Sequence, residues 1–147
     1  MEKSIRWLRT CYWIGAVVDG LAALLLLFPN LFAVVNQLSD FHPGIEYRYM
    51  AGTAASLMLG WTVLLLWADR KPLERKGVLV ITIMPVILGL VVTEVWAALS
   101  GFIAPGALLP TWVLQAALIT LFTFSYLQAS GQERISRIRP VDRKNVS

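Results

Sequence analysis

Four apolar stretches, each about twenty residues long, dominate the chain: 10–28, 49–68, 77–99 and 108–127. An α-helix rises 1.5 Å per residue, so a run of that length crosses the roughly 30 Å hydrocarbon core of a bilayer. Polar breaks separate the runs: Pro29-Asn30, then Asp69-Arg70-Lys71-Pro72, then a segment holding Ser100, Gly101, Pro105, Gly106 and Pro110. In lipid, no water satisfies backbone N–H and C=O groups, so a helix must satisfy its own.

Composition agrees. Hydrophobic residues make up 57% of the chain and charged residues 15%, where a soluble domain carries about 25% charge. A disordered chain, a coiled coil and an ordinary soluble enzyme domain are excluded. Four spans use about 80 residues and leave about 65 for connections and tails, too few for a second domain. The expected fold is all-α, an antiparallel four-helix bundle integral to the membrane. It forms one domain over residues 1–128, followed by a basic cytoplasmic tail over 129–147.

The first stretch has the basic start of a signal peptide, with Lys3, Arg6 and Arg9. It also carries Asp19 at its centre, and Leu31-Phe32-Ala33 is a poor cleavage site, so it reads as a retained span. Four spans put twelve Lys and Arg on one side: three before the first span, Arg70, Lys71, Arg75 and Lys76 in the second connection, and five in the C-terminal tail. Arg48 alone lies on the other side. Such a bias marks the cytoplasmic face, so both termini are expected inside and the protein in the cell membrane as a multi-pass chain. Three or five spans would break the pattern. Trp7, Tyr12, Trp13, Tyr47, Tyr49, Trp67, Trp96, Trp112 and Tyr126 fall near span ends, where aromatic rings prefer the headgroup level. The basic residues sit beside spans, so membrane lipids are the expected partners of the charge and nucleic acid is not.

One cysteine, Cys11, excludes an internal disulfide, a CxxC redox pair and a cysteine-based metal site. One histidine, His42, makes a multi-histidine haem or di-metal site implausible. No metal and no cofactor is expected. Leu31, Phe32, Val34, Val35 and Leu38 space themselves as a short amphipathic helix in the first connection, expected to cap the outer mouth of the bundle. Pro85 is expected to kink the third span and free a carbonyl near Ile81.

The informative residues are the polar ones at membrane depth. Asp19 lies about nine residues, roughly 13 Å, from either end of span one. An aspartate there costs about 2.5–3.5 kcal/mol unless it faces protein or water. Gly15, Ala16, Ala22 and Ala23 share its helix face, as close packing requires. Counted from the outer ends, Glu94 lies at roughly 9 Å, and Ser56 and Gln115 at roughly 12 Å. Each helix thus offers one polar group to a single layer in the outer half, with Arg48 at its rim. The threonines of the inner half can satisfy themselves on their own backbones. Gly52, Ser56 and Gly60 form a small-residue face expected to pack span two against a neighbour.

Asp19, Glu94, Gln115, Ser56 and Arg48 are therefore the candidate ligand-binding residues. The leading functional expectation is binding or transport of a small molecule through this layer. Two alternatives stand beside it: a structural or accessory membrane subunit, as a homo-oligomer or with a partner chain, and an intramembrane enzyme using Asp19 and Glu94 as acid and base. The charge bias makes a direct prediction. Single cysteines placed at Lys71 and Gln132 in a Cys11-free background should resist an impermeant thiol reagent in intact cells, while one at Asp40 should react. Labelling at Lys71 but not at Asp40 would reverse the orientation.

Overall fold

The computed structural model describes the backbone of residues 2–138 and the side chains of those residues except Lys3 and 132–138. The described residues contain helices and no strand. They are α1 (Glu2–Leu27), a short α2 (Pro29–Val35), α3 (Ile45–Asp69), α4 (Gly77–Leu99) and α5 (Pro105–Ile138). All but α2 are long and apolar enough to cross a membrane. The helices overrun the expected ends. α1 already begins at Glu2, and α5 starts at Pro105 rather than at 108, because Pro105 occupies a first turn that needs no N–H. α5 continues past residue 128 to Ile138, and residues 139–147 of the basic tail lie outside the described residues.

α1 is the helix against which the others assemble. Its buried residues, Ser4, Leu8, Cys11, Tyr12, Gly15, Ala16, Asp19 and Ala23, recur at steps of three and four along one stripe. The stripe is rich in small residues, so neighbours come close. A Cβ added at Gly15 would sit 3.1 Å from Leu65 of α3 and 3.1 Å from Phe122 of α5. α3 meets this stripe with Ala51, Ala55, Leu65 and Ala68. This corrects the expectation for Gly52, Ser56 and Gly60: Ser56 and Gly60 are exposed, and a Cβ at Gly52 or Gly60 would meet nothing within 4 Å. The packing face lies one residue back, on the alanines.

Contacts run in opposite order along neighbouring helices. Arg9 meets Asp69, and Gly20 lies by Thr62. Trp7 meets Phe124, and Gly15 meets Phe122. Trp61 meets Thr82, and Glu94 meets Gln115. Adjacent long helices are therefore antiparallel. The main apolar cluster sits toward the α3–α4 turn and includes Leu8, Tyr12, Leu65, Leu79, Leu118 and Phe122. A smaller one, Ile103, Ala107 and Leu108 with Leu38 and Trp112 against it, sits at the opposite end, where α2 lies. Between them, on the α2 side, α4 from Leu88 to Leu99 has no fully buried residue.

The segment from 29 to 44 crosses the α2 end. Phe32 packs against Phe41 and Tyr47, and Leu38 reaches the small cluster, while Leu31, Val34 and Val35 stay exposed. α2 and α4 close alike. Leu38 N–H bonds Ala33 C=O and Gln37 N–H bonds Val34 C=O; Phe102 and Gly101 repeat this on Ala97 and Ala98. The turning residue is left-handed in both, Gln37 at φ 55° and Gly101 at φ 73°. Glycine adopts this freely, whereas Gln37 does so at about 1 kcal/mol.

Pro85 produces a π-helical turn, Thr82–Ile87, rather than a simple kink. The missing N–H is absorbed by widening the turn, so α4 continues on either side.

The α3–α4 turn is not merely solvated. Asp69, 8% exposed, accepts two hydrogen bonds from Arg9 of α1, at 3.0 and 3.4 Å. The Tyr12 hydroxyl donates to Arg75 C=O at 3.0 Å, and Arg75 lies over the Trp67 ring while bonding Trp67 C=O. Asp69→Ala should therefore lower stability by about 1–2 kcal/mol. Glu74→Ala, which removes only the exposed pair with Lys71, should stay within about 0.5 kcal/mol. Reversible unfolding in mixed micelles distinguishes the two.

Candidate functional site

The polar groups at depth divide into those that close on themselves and those that do not. Thr53, Ser56, Thr62, Thr82, Thr93 and Thr120 each donate to the carbonyl four residues back, at 2.8–3.0 Å. A hydroxyl satisfied in this way can face either protein or lipid. Ser56 does so on the exposed side of α3, which removes it from the expected layer. Thr82 has a second partner: the Trp61 indole N–H donates to its oxygen at 3.1 Å and ties α3 to α4.

Carboxyls and amides have no such local solution, and three of them gather between the two apolar clusters. Gln115 of α5, 6% exposed, donates from Nε2 to Glu94 Oε1 at 2.9 Å. The Trp112 indole borders the same carboxyl without its N–H reaching hydrogen-bonding geometry. Asp19 of α1 is 9% exposed and makes no side-chain hydrogen bond among the described residues. The antiparallel register of Cys11 on Ser125 and Gly15 on Phe122 puts Asp19 at the height of Leu118. That is about one turn, roughly 5 Å, from Gln115 along the helix axis.

Of the five candidate residues, the structure brings Glu94 and Gln115 into contact and buries Asp19 one turn away. It turns Ser56 outward and leaves Arg48 exposed, with no ion pair among the described residues. Arg48 follows Tyr47, and it is Tyr47 that faces inward onto Phe32 and Phe41.

Four atoms here are buried without a hydrogen-bond partner: Asp19 Oδ2, Glu94 Oε2, Gln115 Oε1 and Trp112 Nε1. Three are acceptors and one is a donor. Trp112 read from sequence as an interfacial anchor, and its place beside Glu94 went unrecognised. Its spacing of three residues from Gln115 is the signal that puts both on one face of α5. Asp69 opens the polar break Asp69-Arg70-Lys71-Pro72, and nothing in that run signals its bond to Arg9. No group of three or more His, Cys, Asp or Glu capable of holding a metal occurs among the described residues. No family model, curated protein or solved structure matches this chain.

The Gln115–Glu94 bond has a testable asymmetry. Gln115→Leu strips a buried carboxyl of its donor and should cost about 1–3 kcal/mol. The double change Gln115→Leu with Glu94→Leu removes both partners and should be closer to neutral than the single change. A double-mutant cycle read by thermal unfolding in detergent checks this.

Proposed function

We propose that the chain is a four-span membrane protein, with both termini cytoplasmic, that binds or transports a small molecule through the layer of Asp19, Glu94 and Gln115. Membrane insertion is supported by the surfaces of the long helices. At most 28% of the most apolar window of any span is buried within the chain. Residues such as Leu21, Leu57, Val63, Val92 and Val113 are 62–72% exposed. An apolar surface this extensive needs lipid or another chain against it. The twelve-to-one distribution of Lys and Arg supports the orientation.

The observation that carries the binding reading is the set of buried acceptors without donors. An internal polar layer that served only to hold helices together would satisfy its members, since an unpaired buried polar atom costs about 1–3 kcal/mol. The accessory-subunit reading has one observation in its favour. The Gly52, Ser56 and Gly60 face of α3 is open and would admit a close-packed helix.

Asp19 separates the readings. A thermal-shift screen in detergent against lipids, sterols and cationic amphiphiles, run at two pH values, should yield a stabilising compound. Asp19→Asn should keep fold and expression while removing that response. If the layer is structural, Asp19→Asn should be nearly silent and Asp19→Leu neutral or stabilising by about 1 kcal/mol or more. A response unchanged in both Asp19→Asn and Glu94→Gln would end the binding reading.

A further inference from the structure

The donor and acceptor inventory of this layer specifies its ligand more closely than size or shape would. Gln115 Nε2 is already spent on Glu94 Oε1, at 2.9 Å. What remains is Asp19 Oδ2, Glu94 Oε2 and Gln115 Oε1 as acceptors, against Trp112 Nε1 as the one unpartnered donor. Two of the acceptors belong to side chains at least nine-tenths buried, Asp19 at 9% and Gln115 at 6% exposure. Among the described residues, neither carboxyl forms an ion pair. Arg48 is exposed, and Arg9 is engaged with Asp69 near the opposite end.

Resting on the binding reading above, we infer that the layer takes a positively charged amine, whose N–H donors meet the unpartnered oxygens of Asp19, Glu94 and Gln115. An ammonium carries three donors and no acceptor, the complement of what the layer lacks. A neutral alcohol brings a single donor and adds an acceptor where acceptors are already in excess. A divalent metal ion such as calcium asks for six to eight oxygens, and three side-chain oxygens fall short of that. Glu94 is half-buried and lies on the stretch of α4, Leu88–Leu99, that has no fully buried residue.

Three probes of one shape test this: benzylamine, its N,N,N-trimethyl analogue and benzyl alcohol. Each is titrated calorimetrically into the full chain in nanodiscs, with empty nanodiscs subtracted. Benzylamine should bind saturably, the trimethyl analogue at least tenfold more weakly because it lacks N–H donors, and the alcohol without saturation. Asp19→Asn and Glu94→Gln should each weaken benzylamine tenfold or more, with thermal unfolding in nanodiscs confirming the fold of each variant. The amine assignment is overturned if the trimethyl analogue or the alcohol binds as tightly as benzylamine, or if neither variant affects benzylamine. A neutral ligand or sodium that binds in an Asp19-dependent way, with benzylamine inert, overturns it too while leaving the binding reading standing. No saturable binding of any probe, together with a silent Asp19→Leu, removes both.

Discussion

The close approach of α1 to α3 and α5 is the contact on which the rest of the molecule depends. It is possible because α1 offers small residues there: Gly15 leaves room for Leu65 of α3 and Phe122 of α5, and Ala16 and Ala23 are buried along the same stripe. For the proposed membrane-inserted protein, lipid gives little hydrophobic gain from bringing helices together, so dispersion at short range and interhelical hydrogen bonds would carry the association. The small-residue stripe supplies the first. Arg9 with Asp69, Tyr12 with the turn carbonyls, and Trp61 with Thr82 supply the second. All three bonds lie toward the α3–α4 turn or mid-helix. The opposite half is held by a smaller apolar cluster and by the Gln115–Glu94 bond.

That unequal division explains where polar groups are tolerated. Near the turn, side chains interdigitate and polar atoms find partners. Toward α2 the helices pack less fully, and three acceptor oxygens remain without donors. Two carboxyls in a poorly hydrated space cannot both be ionised cheaply, so charge brought by a ligand has something to offset.

Much of this was legible before any coordinates. Twenty-residue apolar runs and the breaks between them set the number and order of helices, because length and hydropathy alone decide spanning. The face of Asp19 was readable too, since Gly15, Ala16 and Ala23 mark it at helical spacing. What failed were readings that needed one residue's worth of angular accuracy. Gly52, Ser56 and Gly60 carry the same small-residue signal as Ala51 and Ala55, one position away, and only packing against α1 selects between them. Ser56 misled for a second reason: a hydroxyl bonded to its own helix says nothing about which way it faces. Arg48 and Tyr47 differ by one position in the same manner. Asp69 was hidden by its neighbours, because a run of alternating charges looks solvated until a residue sixty positions away, Arg9, is seen to reach it.

The π turn at Thr82–Ile87 has a consequence for angular phase. Thr82, bonded to Trp61, and Glu94, bonded to Gln115, lie twelve residues apart on α4. At about 100° per residue, an uninterrupted α-helix would set them about 120° apart, so that with Thr82 inward Glu94 would point off the packing face. A π turn holds about one more residue than an α turn and takes back about 100° of that rotation. Both side chains then share a face. The π turn around Pro85 thus acts as a rotational offset that keeps Thr82 and Glu94 together on the inward side of one helix.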